Sequence, residues 1–360
     1  MGQPHRIGIV GLGVISSQYL EMFRSRGDVR VTAVADLDAA HATEVAATIP
    51  GACALTVAEL VSASDVDVVL NLTIPAAHAE IALAAIAAGK DVYGEKPLAE
   101  TFDQAQRVVA AADMADVRLG CAPDTVLGTG TQTARDVVDS GRIGRPLAAT
   151  AMMASAGPEL WHPRPDFYYQ AGGGPLLDMG PYYVSALVQL FGPVQSVIGA
   201  ASRLRGERTI ATGVRAGEIV RVEVDTHVTG VLQHDNGVLS TLTTSFDSVA
   251  TRSSSIEVHC EAGSLVVPDP NGFAGNVTLH ALGGHEWSVV EPSAGYTNAA
   301  RGIGLIDLLA TPRSQAPRAS GRFALHALEV MTSLLESARS GQRIGLSTTV
   351  ERPARVPLGS

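Results

Sequence analysis

The chain has 360 residues, of which 46% are hydrophobic and 17% are charged, and its formal net charge is −10. This length suggests two domains, and the acidic balance argues against binding to the phosphates of a nucleic acid. No apolar run approaches the roughly 20 residues of a membrane-spanning helix, so no membrane association is expected.

Cysteine and histidine usage gives no pattern of a metal site or a disulfide framework. Cys53, Cys121 and Cys260 lie far apart, and the ten histidines form no cluster with metal-ligand spacing. The first residues lead directly into an apolar run without the layout of a signal peptide. We therefore expect a cytoplasmic protein without a bound metal.

The first third of the sequence has the pattern of a dinucleotide-binding fold. The apolar run RIGIV (6–10) leads into the turn GLGVIS (11–16), which precedes a helical stretch. Glycine at positions 11 and 13 lets the backbone approach a pyrophosphate, and the N-terminus of the following helix supplies amide donors. Serine stands at the third position of the usual glycine pattern, and an ordinary strand–helix turn remains the alternative.

An acidic residue follows at the spacing expected of a ribose ligand. The second predicted strand, VRVTAVAD (29–36), ends at Asp36. Its carboxylate would repel a 2′-phosphate, and no arginine follows directly, so the sequence favours NAD over NADP. The alternative is that Asp36 only caps the next helix.

Strands and helices continue to alternate. Predicted strands at 66–72, 91–97 and 117–122 are separated by helical stretches, which predicts a parallel, doubly wound sheet. Ligands of such sheets bind beyond the carboxyl ends of the strands, where Asp36, Thr73 and Lys96 are expected to lie.

Lysine is scarce in this chain. Lys90 and Lys96 are the two lysines among 26 basic residues. Arginine can replace lysine at most surface positions, but not where a compact amine is needed. We therefore predict a chemical role for Lys96, within the tripeptide EKP, and interpret Lys90 as a surface residue at a helix end.

The pattern changes after about residue 122. A short helix is followed, from 194 to 291, by runs of alternating hydrophobicity, and Asn236-Gly237 between two of these runs predicts a hairpin. We predict a mostly antiparallel sheet covered by helices on one face. The predicted domains are 1–121 and 122–360. His326, on an otherwise apolar helix, is interpreted as structural.

Two segments of this second domain carry candidate substrate contacts. In the aromatic-rich stretch 158–174, Trp161 could stack on a sugar ring or a nicotinamide, and His162 could bond hydroxyl groups. Further on, a helix is predicted to begin near Asp178, which places Tyr182 one turn away on the same face. Helix capping by Asp178 and core packing of Tyr182 are the alternatives.

Four motifs together resemble the glucose–fructose oxidoreductase / inositol dehydrogenase / MocA family: GIVGLGVIS, NLTIPAAH, GKDVYGEKPLAET and GGGPLLDMGPYY. The resemblance implies an N-terminal Rossmann domain and a C-terminal α+β domain with an open, mostly antiparallel sheet that commonly serves oligomerisation. It also implies hydride transfer between NAD(H) and a secondary alcohol or ketone of a sugar, cyclitol or sugar acid. A homodimer or homotetramer is expected.

The resemblance also assigns roles to individual residues. Lys96 would hold the substrate oxygen, Tyr182 would be the acid/base in place of the histidine of many relatives, and Asp178 would orient the substrate or the lysine. Asp124, Trp161 and His162 would join these three residues at the substrate. The implied cofactor contacts are Gly11, Gly13, Val14, Ile15, Asp36, Asn71, Thr73, Ile74, Pro75, His78, Glu95 and Lys96.

Two other functions remain open from the sequence. Some relatives are glycosidases that use bound NAD in a transient redox step, and a non-catalytic sugar or nucleotide sensor is also conceivable. The Lys96–Pro97 bond is often cis in relatives, which suggests the same here.

Overall fold

A computed structural model of the chain describes residues 3–359 and divides into two compact units. The first unit contains the chain up to residue 124 together with 299–325, and the second contains 125–298 and the chain from residue 326 onward. The predicted division into two consecutive domains did not include this return of the chain to the first unit.

The first unit is built on six parallel strands. Their order is β3-β2-β1-β4-β5-β6, and the central strands are buried on both faces, as parallel sheets require. The predicted doubly wound sheet is therefore confirmed. The strands are β1 (His5–Val10), β2 (Val29–Ala35), β3 (Cys53–Ala54), β4 (Val68–Asn71), β5 (Asp91–Gly94) and β6 (Leu119–Cys121).

Helices connect these strands, and local sequence signals fix where several of them begin. Thr56 and Thr101 each form a capping box with the residue three positions later, and Asp38 caps its helix by accepting two amide hydrogens. The helices are α1 (Ser16–Arg24), α2 (Ala39–Ala47), α3 (Val57–Ser62), α4 (Pro75–Ala87) and α5 (Phe102–Ala115).

Lys90 is not the surface lysine that the sequence suggested. Its Nζ donates hydrogen bonds of 2.7 Å to the carbonyl oxygens of Ala63 and Val66. Both carbonyls lie just beyond the C-terminus of α3, where a cation is favourable. Lys90 therefore has a structural role in joining α3 to the start of β5.

The second unit contains a nine-stranded sheet of order β16-β15-β14-β13-β7-β12-β11-β8-β17, in which only the β7–β12 pair is parallel. Two further strands, β9 and β10, pair separately as an antiparallel arm. The strands are β7 (Pro146–Ala154), β8 (Val194–Ser202), β9 (Glu207–Thr209), β10 (Ile219–Arg221), β11 (His227–His234), β12 (Leu239–Ser245), β13 (Ile256–Cys260), β14 (Gly263–Val267), β15 (Val277–Ala281), β16 (Ser288–Val290) and β17 (Ile344–Gly345).

The predicted hairpin joins β11 and β12. Gly237 has a φ of +86°, which explains why glycine is needed in this turn. The helices of this unit are α6 (Thr129–Asp139), α7 (Asp166–Tyr169) and α8 (Pro175–Phe191), with 3-10 turns at Thr125–Leu127 and Pro158–Leu160.

Helix α8 begins three residues before the predicted start at Asp178. Gly174, with a φ of +90°, precedes the helix, and Pro175 is its first residue, where a missing amide hydrogen costs nothing. Pro181 therefore lies inside the helix rather than in its first turn. Gly174 stands at the N-cap, so Asp178 does not cap this helix.

Two helices complete the chain. Helix α9 (Ile303–Ala310) belongs to the returning segment, and helix α10 (Gly321–Ser340) begins in that segment and continues into the second unit. His326 on α10 is fully buried, accepts the amide hydrogen of Val194 at 3.0 Å and contacts the Thr348 hydroxyl at 2.9 Å, which confirms its structural role. Among the helices within 3–359, none has the length and hydropathy needed to cross a bilayer.

A buried carboxylate anchors the returning segment. Asp124, predicted to contact substrate, has no exposed surface, and its Oδ2 accepts the amide hydrogens of Gly302 and Gly304 at 2.8 and 3.1 Å. Arg301 lies 3.9 Å from Oδ1. Burial raises the pKa of Asp124 to about 6, although Arg301 opposes that shift. These contacts give Asp124 a structural position at the start of α9.

We predict that the Asp124→Asn variant changes the pH dependence of stability. A raised pKa means that the folded state binds the proton more tightly than the unfolded state. The free energy of unfolding contributed by Asp124 therefore falls as the pH rises from about 4 to about 6, on the order of 2 kcal/mol in total. Denaturant unfolding of both proteins across this range measures the difference, with the exposed Glu100→Gln as the control. A constant difference between wild type and Asp124→Asn would contradict the prediction.

Candidate active site

The turn after β1 places two glycines at the carboxyl edge of the first sheet, and each glycine has a different role. Gly11 has a φ of +91°, and a Cβ there would lie 2.8 Å from the backbone of Leu72 and Thr73. A Cβ on Gly13 would meet nothing within 4 Å. Gly11 is therefore required by the fold, whereas Gly13 keeps open space beside the backbone that precedes α1.

Asp36 holds this glycine turn in place. Its Oδ2 accepts the amide hydrogen of Leu12 at 2.8 Å, and its Oδ1 accepts that of Asp38 at 3.0 Å. The cap of α2 is Asp38, so the alternative interpretation of Asp36 as the helix cap does not hold. The Asp36 carboxylate therefore lies at the end of β2, beside the turn predicted to bind the pyrophosphate.

Three large apolar side chains are exposed at neighbouring strand ends. Val14, Leu37 and Ile74 follow β1, β2 and β4, and their exposed fractions are 91%, 103% and 69%. Apolar side chains left in solvent around one edge are typical of a ligand site. Leu37 is not among the residues predicted from the sequence. Its position directly after Asp36 is the feature of the sequence that could have identified it.

The loop after β4 is ordered by side chains within it. Asn71 Oδ1 accepts the Thr73 hydroxyl hydrogen at 2.7 Å, and Asn71 Nδ2 donates to the carbonyl oxygen of His78 at 3.1 Å. Pro75 is the first residue of α4. His78, predicted to line the cofactor, is buried, and its ring nitrogens lie 2.9 Å from the Thr73 oxygen and 2.6 Å from the Pro97 oxygen.

The lysine of the EKP tripeptide lies in a turn beyond the end of β5, since that strand ends at Gly94. The Glu95 amide donates to the Asn71 carbonyl oxygen at 2.9 Å, which extends the β4–β5 pairing into the turn. The Glu95 carboxylate accepts the Lys96 amide hydrogen at 3.0 Å. The Lys96–Pro97 peptide is cis, as the sequence suggested.

A tyrosine of α1 connects this helix, which follows the glycine turn, to the turn that carries Lys96. Tyr19 is fully buried and donates its hydroxyl hydrogen to Glu95 Oε1 at 2.8 Å. Burial, followed by the charges of Glu95 and Asp124, raises the pKa of Tyr19 well above its ordinary value. Sequence reasoning missed Tyr19, because nothing local distinguishes it from an ordinary core residue of an amphipathic helix.

This edge of the first unit fits a dinucleotide. The open space at Gly13, the exposed apolar rim and the N-terminus of α1, which lacks a side-chain cap, suit the pyrophosphate and the rings. Asp36 stands where a ribose hydroxyl is bound in such folds. Within residues 3–359, no three His, Cys, Asp or Glu side chains are grouped as a metal ion would need.

In the second unit, helix α8 carries the other two predicted catalytic residues. Asp178 lies in its first turn and is half-buried, and Tyr182 follows one turn later with 6% of its surface exposed. The neighbouring Tyr183 faces Asp269, with 3.4 Å between its hydroxyl and Oδ1, and burial raises the pKa of Tyr183. Both tyrosines are therefore largely buried on the same helix.

The segment before α8 presents an aromatic group, which we call the aromatic loop (residues 158–170). Trp161 is 62% exposed and packs edge-on against His162 and Tyr168, with ring centroids 5.5 and 6.0 Å apart. Phe167 lies 4.1 Å from Tyr168, also by ring centroids. Exposed aromatic rings that are fixed by each other form a rigid apolar surface.

A buried ion cluster holds the aromatic loop against the β9–β10 arm. Arg208 lies between Glu159, at 3.0 Å, and Asp247, at 2.5 Å, and its side chain is 2% exposed. Tyr169 donates to Glu159, and Thr226 donates to Asp247 at 2.5 Å. Both carboxylates are thus hydrogen-bonded on more than one side, as buried charges require.

Comparison with known proteins agrees with both units. A model described as "Oxidoreductase family, NAD-binding Rossmann fold" matches residues 5–122, and the GFO/IDH/MocA C-terminal domain matches residues 131–266. Together the two models of one family cover more than half of the chain. The chain belongs to the GFO/IDH/MocA family.

Individual relatives extend this result over the full length. A 1,5-anhydro-D-fructose reductase of Ensifer adhaerens is 29% identical over 96% of this chain and 99% of its own length. Inositol 2-dehydrogenase 3 of Saccharopolyspora erythraea is 33% identical, over 44% of this chain and 47% of its own. The crystal structure of an NAD-binding oxidoreductase from Klebsiella pneumoniae superposes with a TM-score of 0.83 at 23% identity, covering 96% of this chain and all of that one.

The family membership identifies the first unit as an NAD-binding Rossmann domain and the chain as an oxidoreductase. The fold of the second unit, an open and mostly antiparallel sheet with helices, is likewise the one predicted. The resemblance drawn from the four motifs is therefore confirmed at the level of family, fold and cofactor.

The two glycines of the GFO/IDH/MocA glycine turn provide a matched pair of variants. We predict that Gly13→Ala weakens NADH binding at least tenfold without changing stability, because its methyl group enters open space beside the backbone. Gly11→Ala should lower the free energy of unfolding by about 1–3 kcal/mol, because of its positive φ and its crowded Cβ. NADH fluorescence titration and denaturant unfolding measure the two effects. Unchanged NADH affinity in Gly13→Ala would contradict the assignment of this turn.

Proposed function

We propose that this protein is an NAD-dependent dehydrogenase or reductase that acts on a secondary alcohol or ketone of a sugar, cyclitol or sugar acid. The observation that carries the proposal is the lysine turn at the carboxyl edge of an NAD-binding sheet, where Tyr19 and Asn71 bond Glu95. The full-length relative is named for a reductase of an anhydro sugar, and a second relative for an inositol dehydrogenase.

In the first unit, residues at the strand ends would bind the cofactor and hold the substrate oxygen. Bound NAD(H) supplies or accepts the hydride. The Lys96 ammonium would donate a hydrogen bond to the reacting oxygen, which keeps the carbon in a fixed position for transfer. The groups proposed to line the cofactor are Gly11, Gly13, Val14, Ile15, Asp36, Leu37, Asn71, Thr73, Ile74, Pro75 and Glu95.

In the second unit, Tyr182 would exchange the proton of the substrate oxygen. In reduction its hydroxyl donates that proton as the carbonyl carbon accepts the hydride, and in oxidation its phenolate accepts the proton. Asp178, one turn earlier on α8, would accept a hydrogen bond from a substrate hydroxyl. Trp161 and His162 on the aromatic loop would contact the apolar face and the hydroxyl groups of the ring.

Asp36 would direct the cofactor preference. Its carboxylate lies at the end of β2 and is fixed by the Leu12 amide. A carboxylate accepts hydrogen bonds from ribose hydroxyls but repels a 2′-phosphate, so NAD is expected to be used in preference to NADP.

We also propose that the protein assembles as a homodimer or homotetramer through the nine-stranded sheet. Ile198 and Val231 are paired on neighbouring strands β8 and β11, and both side chains are exposed. Leu239 adds exposed apolar surface to the same face on β12, where it pairs with Gln233 of β11. Apolar side chains in solvent on a broad sheet are typical of an interface between subunits.

Turnover with a panel of hexoses, pentoses, inositols and aldonates tests the proposed chemistry. With NAD⁺ or NADH and a matching substrate, we expect absorbance changes that Lys96→Ala and Tyr182→Phe lower by roughly 10²–10⁴-fold in kcat. Lys96→Arg should be equally poor, since a guanidinium cannot replace a compact ammonium. Tyr183→Phe is the matched control and should retain most of the activity.

Other outcomes of the same experiment would favour the alternatives. Hydrolysis of a glycoside with tightly bound NAD and no net absorbance change would indicate a glycosidase. Binding of sugar and NAD without any turnover would indicate a sensor, and faster turnover with NADP⁺ would contradict the role of Asp36.

The aromatic loop gives a separate prediction for substrate affinity. Trp161→Ala should raise the KM for the sugar by about 2- to 12-fold, because packing against an aromatic ring contributes roughly 0.5–1.5 kcal/mol, while the KM for NADH stays unchanged. Trp287→Ala, at an exposed tryptophan directly before β16, is the matched control. Equal effects of the two substitutions would show that Trp161 has no specific contact.

A further inference from the structure

Three buried histidines within residues 3–359 differ in the groups that surround their rings. His234 lies with Nδ1 2.8 Å from the Gly192 carbonyl oxygen and Nε2 2.9 Å from the Ser240 hydroxyl. His326 accepts the Val194 amide hydrogen at Nε2 and faces the Thr348 hydroxyl at Nδ1. A neutral imidazole, with one N–H and one lone pair, satisfies both of these environments.

The surroundings of His78 are different, because both ring nitrogens face carbonyl oxygens. Nδ1 lies 2.6 Å from the Pro97 oxygen, and Nε2 lies 2.9 Å from the Thr73 oxygen. A carbonyl oxygen only accepts hydrogen bonds. A neutral ring would donate to one oxygen and direct a lone pair at the other, whereas a ring with protons on both nitrogens donates to both.

The two carbonyls belong to the two loops that frame the lysine. Thr73 follows β4 by two residues, and Pro97 comes directly after Lys96. Asn71 reinforces the first of these loops, since it bonds the Thr73 hydroxyl and the His78 carbonyl oxygen. A backbone bond from the Glu95 amide to Asn71 already joins the two loops. The His78 ring adds a side-chain bridge between them.

We infer that His78 is a positioning residue that, as an imidazolium, clamps the Thr73 and Pro97 carbonyl oxygens and thereby fixes the turn that carries Lys96. The inference rests on the role proposed for Lys96. It replaces the direct cofactor contact expected of His78, which is 2% exposed.

The surroundings of His78 contain groups that oppose and groups that favour this charge. Burial disfavours a cation, as does the N-terminus of α4, because His78 lies in the first turn of that helix. The two carbonyl dipoles directed at the ring favour it. A small cavity beside the ring is lined by Asn71, His78 and Glu95 together with apolar side chains.

The protonation state of the His78 ring can be measured in the wild-type protein without an activity assay. In protein labelled with ¹⁵N at histidine, the ring signals are recorded at pH 7, and those of His78 are assigned by their loss in His78→Gln. We expect two N–H groups on the His78 ring and a single N–H on each of His234 and His326. A single N–H on His78 would overturn the inference, because one of the two carbonyl contacts would then be unmade.

Kinetics test the positioning role. A glutamine amide can donate to one of the two carbonyls but not clamp both, so His78→Gln should lower kcat by about 10–100-fold, the effect of a small misplacement of a catalytic group. The dissociation constant for NADH should change by less than about threefold. His326→Gln, which removes a buried histidine of the second unit, is the matched control and should lower stability but not kcat.

Two results would separate this inference from the proposed function. Wild-type turnover with unchanged kcat in a folded His78→Gln variant would overturn the positioning role and leave the dehydrogenase intact. No turnover by the wild type on any substrate would contradict the proposed function, whereas the ¹⁵N spectrum would still decide whether His78 bridges the two carbonyls.

Discussion

The close approach of the glycine turn to the loop after β4 is the contact on which the geometry of the first unit depends. A side chain at Gly11 would overlap the backbone of Leu72 and Thr73, so the turn can pass there only as glycine. Thr73 is in turn bonded by Asn71 and faces His78, and His78 also faces Pro97 beside Lys96. The loop that binds a dinucleotide and the turn that carries the lysine are therefore connected by three successive contacts within one unit.

In the second unit, the buried ion cluster around Arg208 positions the aromatic loop. Arg208 is surrounded by two carboxylates, a tyrosine ring at 5.6 Å and backbone oxygens, with almost no exposure to solvent. Removing one partner of such a cluster leaves an uncompensated buried charge, which costs about 3–5 kcal/mol. The cluster thus fixes one end of the loop on which Trp161 and Phe167 are exposed.

The parts of this structure that were predictable from the sequence depend on local chemistry. Alternating strands and helices, Asn236-Gly237 and the spacing from the glycine turn to Asp36 are each determined by neighbours along the chain. The start of α8 differs from the prediction although its signal is local. Gly174 followed by Pro175 is typical of a helix start and indicates the observed position.

Other features depend on contacts between distant segments and had no signal in the sequence. The burial of Asp124 follows from amides nearly 180 residues later, and the bond from Tyr19 to Glu95 joins residues 76 positions apart. A motif can identify His78 as part of a cofactor-binding segment. It cannot indicate that both ring nitrogens face backbone carbonyls.

The two lysines show how far an argument from composition extends. Scarcity of lysine predicts a chemical role, yet the ammonium of Lys90 lies 2.7 Å from two carbonyl oxygens beyond α3. One guanidinium nitrogen can also donate to two carbonyl oxygens, as Arg118 Nη1 does to Leu308 and Leu309, so this contact does not by itself exclude arginine. Scarcity alone therefore does not identify a chemical role. Only the place of each lysine in the fold separates the two uses, since Lys90 holds a helix end, whereas Lys96 stands in a turn at the carboxyl edge of an NAD-binding sheet.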